Sequence, residues 1–134
     1  MQTAHVVYSI GEYQGVKVHA CVGGTDVKED IRILKQGGFQ VVVGTPGRIQ
    51  GMMKRGFLKT EFLKIIVLDD ADEMCSRDFY EQILSIFKYL PGEIQIALFS
   101  ATVNTKLLNF TKPFMRDPAK ILVKNQELNL NGIR

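Results

Sequence analysis

The sequence has 134 residues, of which 46% are hydrophobic and 23% are charged, and its formal net charge is +3. This composition is typical of one ordinary soluble domain. No apolar run is long enough to cross a bilayer, and residues 1–5 lack the basic and apolar segments of a signal peptide. The charge alone is a weak indication of nucleic-acid binding.

The cysteines and histidines give no metal-binding pattern. Cys21 and Cys75 lie far apart, and neither His5 nor His19 completes a ligand spacing with them. We therefore expect two reduced thiols in a cytoplasmic protein, with a nuclear location as the alternative.

The predicted elements alternate between helices and short buried strands. A helix is under way at residues 6–8, and Asp26-Val27-Lys28-Glu29 resembles a capping box that opens a second helix ending at Gly37-Gly38. Apolar residues at helical spacing predict further helices at 80–90 and 104–115. Short apolar runs predict strands at 16–20, 40–43, 65–69, 94–99 and 120–123.

This alternation predicts the fold class. It favours an α/β fold in which a parallel sheet carries helices on both of its faces. The first helix has no preceding element, and residues 127–134 form a polar end with no closing element. We therefore expect part of a larger domain.

An acidic cluster follows the third predicted strand directly. The apolar run 64–68 leads into Asp69-Asp70-Ala71-Asp72-Glu73, which places four carboxylates at the C-terminal end of the strand. Ligands bind at that end in open α/β sheets, and crowded carboxylates favour a cation such as Mg²⁺ bridged to phosphates. A solvated acidic turn that caps the next helix is an equally good interpretation of this segment alone.

Three further segments lie at or just past the ends of other predicted strands. Gly23-Gly24-Thr25 allows a backbone to approach a ligand closely, or forms a plain turn. Gly44-Thr45-Pro46-Gly47-Arg48 suits a phosphate, or simply starts a helix with Thr45 as its N-cap. Ser100-Ala101-Thr102 provides two hydroxyls that can hydrogen-bond carboxylates on a neighbouring strand.

In this order and spacing, the four segments resemble the first RecA-like lobe of the DEAD-box ATP-dependent RNA helicases. Asp69-Asp70-Ala71-Asp72 stands where the family has Asp-Glu-Ala-Asp, and the other three match the family's GG, Ib and III motifs. The surrounding residues are similar to the eukaryotic translation-initiation factor 4A subfamily. The resemblance divides the chain into a partial N-terminal lobe at 1–124 and the start of a linker to a second lobe at 125–134.

The resemblance implies a role for each residue of the acidic motif. Asp69 would hold the Mg²⁺ of bound ATP through water, and Asp70 would position and deprotonate the attacking water. Asp72 would bond Ser100 and Thr102, which links the ATP state to the RNA-bound form. The implied chemistry is phosphoryl transfer to water.

The resemblance also implies an RNA-binding surface. Contacts there go to phosphate and sugar, so the binding would carry little sequence information. The residues concerned are Gly23, Gly24, Thr45, Pro46, Gly47 and Arg48. The implied function is RNA binding and unwinding coupled to ATP hydrolysis, in translation initiation or other mRNA metabolism.

Four residues depart from the family pattern. Asp70 replaces a glutamate, which withdraws the carboxylate by about 1.5 Å. Gly51, Asp78 and Asn104 stand where Asp, Gly and Pro are usual. This set suggests relaxed constraint or a specialised paralogue.

The chain also lacks several motifs of the family. It contains no Gly-x-x-x-x-Gly-Lys-Ser/Thr phosphate loop, no adenine-reading Q motif and no Pro-Thr-Arg-Glu-Leu motif, and the second lobe with its arginine finger is missing. We therefore predict that this polypeptide alone neither binds Mg-ATP tightly nor hydrolyses it. Because the phosphate-loop strand would pair beside 94–99, we also predict a bare apolar edge there.

Three hypotheses follow. The chain is part of an ATP-dependent RNA helicase, a non-catalytic module that binds RNA or a helical-repeat scaffold protein, or a decayed copy without a stable fold. An in-frame phosphate loop upstream of Met1 would favour the first. RNA binding that needs no nucleotide and is weakened by Arg48→Ala would favour the second, and undispersed amide resonances would favour the third.

Overall fold

The structure of the chain is a computed structural model that describes residues 2–123. It has the predicted α/β fold class, with parallel strands that alternate with helices. In chain order the elements are α1 (Gln2–Gly11), β1 (Val18–Cys21), α2 (Val27–Gln36), β2 (Val41–Gly44), α3 (Pro46–Lys54), β3 (Ile65–Leu68), α4 (Ala71–Met74), α5 (Arg77–Phe87), β4 (Gln95–Leu98) and α6 (Thr105–Thr111). A short 3₁₀ turn (Glu12–Gln14) links α1 to β1.

The four strands form two separate parallel pairs instead of one sheet. β1 pairs with β2, and β3 pairs with β4, whereas β2 and β3 share no main-chain ladder. Ile65 and Val67 lie on one face of β3 and are about half exposed, at 51% and 53%. The two halves meet instead through α3 and α5, which pack against each other. Within residues 2–123 β4 pairs only with β3, so its other edge is unpaired, as predicted.

Local capping explains where the helices begin and end. The side chains of Asp26 and Asn104 each accept a hydrogen bond of 2.9 Å from a first-turn backbone N–H, in α2 and α6 respectively. Gly37 follows α2 with φ +66°, a backbone conformation that favours glycine. α6 ends at Thr111 and not at residue 115, because Pro113 cannot continue a helix.

Two hydrophobic clusters form the core, and α3 contributes to both. Met52 packs with Cys21 and Leu34 in the β1–β2 half. Met53 belongs to a larger cluster in the β3–β4 half. The other buried members of that cluster are Leu68, Ala71, Cys75, Ile83, Ile86, Leu107 and Phe110. The position of one half relative to the other therefore depends on the packing of α3.

The predicted strand at 120–123 is wrong. These residues form no regular element, and the Ile121 side chain is 95% exposed. A short apolar run becomes a strand only when it pairs with another strand, and residues 120–123 pair with none in the described part of the chain. The predicted linker at 125–134 lies outside the described residues. No helix among residues 2–123 has both the length and the apolar character needed to span a bilayer.

Candidate functional site

The candidate residues gather at the C-terminal ends of the strands in two groups. The first, which we name the glycine–threonine rim, lies at the ends of β1 and β2 and consists of Gly23, Gly24, Thr45, Pro46, Gly47 and Arg48. The second, which we name the acidic rim, lies at the ends of β3 and β4 and consists of Asp69, Asp70, Asp72, Ser100 and Thr102. Each strand pair therefore presents its own rim.

Hydrogen bonds join the two loops of the glycine–threonine rim. The backbone N–H of Gly23 donates to the Thr45 hydroxyl at 3.0 Å, and the N–H of Thr45 donates to the Cys21 carbonyl at 3.3 Å. Thr45 stands at the N-cap position of α3, which is one of the two interpretations of this segment. Its side chain, however, makes no capping hydrogen bond to the helix. The hydroxyl is directed instead to Gly23, from which it accepts.

Next to this rim, geometry requires glycine at positions 24 and 44. Gly24 has φ +83°, in the left-handed region that other residues enter only at a cost. A Cβ on Gly44 would lie 2.2 Å from the Cys21 carbonyl oxygen and 2.7 Å from the Ile49 side chain. Only glycine lets the end of β2 approach β1 this closely.

The Arg48 side chain points into the protein beneath the rim. Only 9% of it is exposed, and its guanidinium forms an ion pair with Asp30 of α2. It also donates to the Thr25 carbonyl at 2.8 Å and to the Thr25 hydroxyl at 3.2 Å. The guanidinium thus connects α3 to α2 and to the loop that follows β1.

A buried cluster that sequence spacing did not reveal surrounds Asp30. Its carboxylate accepts from the Cys21 thiol at 3.8 Å, and His19 Nε2 lies 3.2 Å away without the alignment of a hydrogen bond. Burial, reinforced by the Asp30 charge, raises the pKa of the Cys21 thiol to about 11, which keeps it a protonated donor. The alternation of a strand places His19 and Cys21 on one face, but nothing local indicates that Asp30 will join them.

An open depression of about 410 Å³ adjoins the glycine–threonine rim. Its lining includes Gly23, Thr45, Gly47 and Arg48, together with Arg55, which follows α3, and Gln82 of α5. The rim therefore edges a concave surface that carries a second arginine, and arginine suits phosphate groups.

The acidic rim has an exposed turn at its centre. Asp70 has φ +50° and ψ +49°, a left-handed conformation that aspartate adopts more readily than most residues. Its backbone N–H donates to the Asp69 carboxylate at 3.1 Å, and the Thr3 hydroxyl donates to the same carboxylate at 3.3 Å. The turn is anchored to β4, because the N–H of Ala71 donates to the Phe99 carbonyl at 2.9 Å.

Asp72 is predicted to bond both Ser100 and Thr102, and the structure contains the bond to Thr102. Thr102 donates its hydroxyl to the Asp72 carboxylate at 2.8 Å. The Ser100 hydroxyl donates to the Thr102 carbonyl at 2.7 Å and so helps to fix the segment. Hydrogen bonding, chiefly from Thr102, holds the pKa of Asp72 below its usual value. The ends of β3 and β4 are thereby joined through side chains.

The acidic rim suits a cation that keeps its own water shell. Among residues 2–123, one group of three potential metal ligands has its ligand atoms within 4.8 Å of one another, and it consists of His19, Cys21 and Asp30. The negative charge of Asp30 in that group is already neutralised by its ion pair with Arg48. The exposed carboxylates of Asp69 and Asp70 form no such cage. Mg²⁺ commonly binds through one or two carboxylates together with waters and substrate phosphates, so these residues fit it.

Comparison with known proteins gives one consistent family. Residues 1–110 match the family described as DEAD/DEAH box helicase. The chain is 54% identical over 133 residues to eukaryotic initiation factor 4A-1 of Arabidopsis thaliana, covering 99% of this chain and 32% of that protein. It is 52% identical over 133 residues to eukaryotic initiation factor 4A of Drosophila melanogaster, covering 99% and 33%.

A solved structure gives the same result for the fold. The structure of a Saccharomyces cerevisiae Dbp5 variant bound to RNA and ADP–BeF₃ matches with a TM-score of 0.81 and 29% identity. The match covers 99% of this chain and 33% of that one. The chain thus spans about one third of the length of these relatives.

Proposed function

The chain belongs to the DEAD/DEAH box helicases and is related to initiation factor 4A, and from this premise we propose that it supplies two working surfaces of an ATP-dependent RNA helicase. The glycine–threonine rim binds the RNA backbone, and the acidic rim handles Mg²⁺ and the attacking water. Because the chain spans about one third of its relatives, unwinding and ATP hydrolysis are proposed for the longer assembly and not for these residues alone.

The observation that carries the proposal is the joining of the two loops of the glycine–threonine rim. The Gly23–Thr45 hydrogen bond brings backbone from both strand ends together, and the small side chains leave that backbone open. A surface of this kind suits phosphate and sugar, which carry little sequence information. We therefore propose binding to single-stranded RNA without strong sequence preference.

The acidic rim is proposed to act on ATP. Bound Mg-ATP would supply the phosphoryl group that is transferred to water. Asp69 would hold the ion through its waters, and Asp70 would position the water and take its proton. Asp72, bonded to Thr102 and near Ser100, would link this event to the RNA-bound form.

We also propose that this chain alone holds Mg-ATP only weakly, since it has no phosphate loop. Isothermal titration with Mg-ATP should give no binding in the low micromolar range. A low micromolar affinity would contradict the proposal. From the relation to initiation factor 4A, we further propose a cytoplasmic location, with RNA and a helical-repeat scaffold protein as partners.

A charge placed on the rim tests the RNA-binding proposal. Gly23 has ordinary backbone angles, and a Cβ there would meet only the Thr45 hydroxyl at 3.7 Å, so Gly23→Asp introduces a carboxylate without steric strain. Fluorescence anisotropy with a labelled single-stranded oligouridine should show binding weakened about tenfold or more, because a carboxylate among phosphate contacts repels the backbone.

The matched control is Gly92→Asp. Gly92 also has ordinary angles and no atom within 4 Å of a new Cβ, and it lies in the turn before β4, away from both rims. The net charge changes by the same amount in both variants. An equal loss of affinity in the two would mean that the rim is not the RNA-binding surface.

A further inference from the structure

The side chain of Arg48 extends beneath the rest of the glycine–threonine rim, where other groups of the protein bind it. Its guanidinium donates to the carbonyl and hydroxyl of Thr25 and is ion-paired with Asp30. Its side chain is nine-tenths buried. A phosphate on the rim would have to compete with a buried carboxylate for the same donors.

The Asp30 charge makes that competition unfavourable for phosphate. The Asp30 side chain is only 6% exposed, and its other neighbours are the protonated Cys21 thiol and the His19 ring. A buried carboxylate that loses its charged partner costs several kcal/mol, so Asp30 retains Arg48.

The Arg48–Asp30 pair sits where it can set the geometry of both rim loops. Through Thr25 it fixes the loop that contains Gly23 and Gly24, and through its own backbone it fixes the first turn of α3. The bond from Gly23 to Thr45 closes the connection on the outer side. The two loops are therefore joined on the outer side by the Gly23–Thr45 hydrogen bond and on the buried side by the Arg48–Asp30 pair.

Building on the proposed RNA-binding function, we propose that Arg48 and Asp30 are positioning residues. The buried pair holds the rim in the shape that binds RNA, and the phosphates are contacted by other groups of the rim and not by the Arg48 guanidinium. This assignment makes an acidic residue necessary for binding a polyanion.

The Asp30→Asn variant tests this assignment through the sign of its effect. Simple electrostatics predicts tighter binding to RNA when a negative charge is removed. Positioning predicts the opposite, a loss of about tenfold or more, because the ion pair that shapes the rim is gone and the Arg48 charge is left buried without its partner. The control is Glu29→Gln on the same helix, whose exposed carboxylate pairs with Arg32; its affinity for labelled oligouridine should be unchanged or slightly higher.

Salt dependence separates positioning from direct contact for Arg48→Ala. A cation that neutralises a phosphate of a single strand contributes about 0.7 to the slope of log affinity against log salt. If Arg48 only positions the rim, Arg48→Ala lowers the affinity and leaves the slope unchanged. A slope reduced by that amount, together with undiminished binding by Asp30→Asn, would overturn the proposal.

A double variant distinguishes the loss of positioning from a loss of folding. Asp30→Asn leaves the Arg48 charge buried without its partner, whereas Asp30→Leu combined with Arg48→Met replaces the pair by apolar groups and keeps the net charge. Circular dichroism should show a folded protein with cooperative unfolding. Its RNA affinity should fall with an unchanged salt slope, and wild-type affinity in the folded double variant would refute the positioning role.

Hydrogen exchange in the RNA-free protein separates this inference from the proposed function. The Gly23 amide is protected by Thr45, so it should exchange faster in Asp30→Asn and in the double variant but not in Glu29→Gln. If wild-type protein fails to bind oligouridine while exchange changes as expected, the proposed function fails and the positioning role stands. Unchanged exchange in every variant would reject the positioning role itself.

Discussion

The two rims differ in where they keep their charges. At the glycine–threonine rim the charges of Asp30 and Arg48 are buried and paired with each other. At the acidic rim Asp69 and Asp70 expose their carboxylates. A buried pair shapes the loops around it, whereas exposed carboxylates stay accessible to water and cations. We therefore interpret the first rim as a surface of defined shape and the second as a place for chemistry.

The same contrast applies to the backbone. The left-handed position of the first rim belongs to Gly24, at φ +83°, and that of the second belongs to Asp70, at φ +50°. Glycine adopts this conformation freely, but for a residue with a Cβ it costs about 1–2 kcal/mol of conformational free energy. Such strain persists where the surrounding structure holds it and a side chain is needed for function.

The largest effect should come from breaking the core beneath the acidic rim. Phe110 is 2% exposed and packs against the rings of Tyr80 and Phe114 at 5.7 and 5.2 Å. Phe110→Ala should lower the free energy of unfolding by about 3–5 kcal/mol, measured by urea denaturation. Phe62→Ala, at a residue 90% exposed, should change it by less than about 0.5 kcal/mol. Equal effects would mean that Phe110 is not a core residue.

The next largest effect tests the close approach of the end of β2 to the end of β1. Gly44→Ala should destabilise the protein by about 1–3 kcal/mol, because the new Cβ meets the Cys21 carbonyl oxygen and backbone must move. Gly51→Ala, inside α3 with nothing within 4 Å, should instead stabilise it by about 0.5–1 kcal/mol. Thermal or urea unfolding measures both, and the same sign for the two variants would contradict the geometry.

A smaller effect tests the strain at the acidic rim. Asp70→Gly should raise the free energy of unfolding by up to about 1 kcal/mol, because glycine removes the left-handed penalty and loses only part of the gain to unfolded-chain entropy. Asp69→Gly, at an ordinary φ, should lower it. A destabilised Asp70→Gly variant would show that the Asp70 side chain contributes more than its strain costs.

The smallest effect concerns the bond across the acidic rim. Thr102→Val should raise the pKa of Asp72 toward its usual value, as followed by NMR titration of the carboxyl carbon, whereas Thr105→Val should not. A lowered folded-state pKa stabilises the protein above the unfolded pKa. The stability difference between wild type and Thr102→Val should therefore be full at neutral pH, decline below about pH 4 and vanish once the pH has fallen through the Asp72 pKa. If the stability difference persists in acid, it arises from changed packing of the Thr102 side chain and not from the hydrogen bond to Asp72.

Several parts of the fold and the site could be predicted from local patterns. The cap at Asp26 starts α2 through a bond from the backbone N–H of Lys28, two positions away. The order of motifs after successive strands placed the candidate residues at strand ends. The resemblance to the helicase family indicated the bond between Thr102 and Asp72. These features depend on residues near one another in sequence, or on strand ends that a parallel fold brings together.

Other features arise only when distant segments pack. Within residues 2–123, the run at 120–123 has the composition of a strand but pairs with none, and β1 to β4 divide into two pairs that helices hold together. Thr45 has the identity of a helix cap, yet its hydroxyl bonds Gly23. The presence or absence of a partner far along the chain therefore overrides the local preference.

The sequence by itself determined the family and the chemistry available at the strand ends, because both follow from which residues succeed which strand. Only the tertiary structure decided that Arg48 turns inward to Asp30, beside His19 and Cys21. Whether a charge faces solvent or a buried partner depends on the free energy of desolvation and pairing between separate elements. Spacing along the chain does not encode that balance.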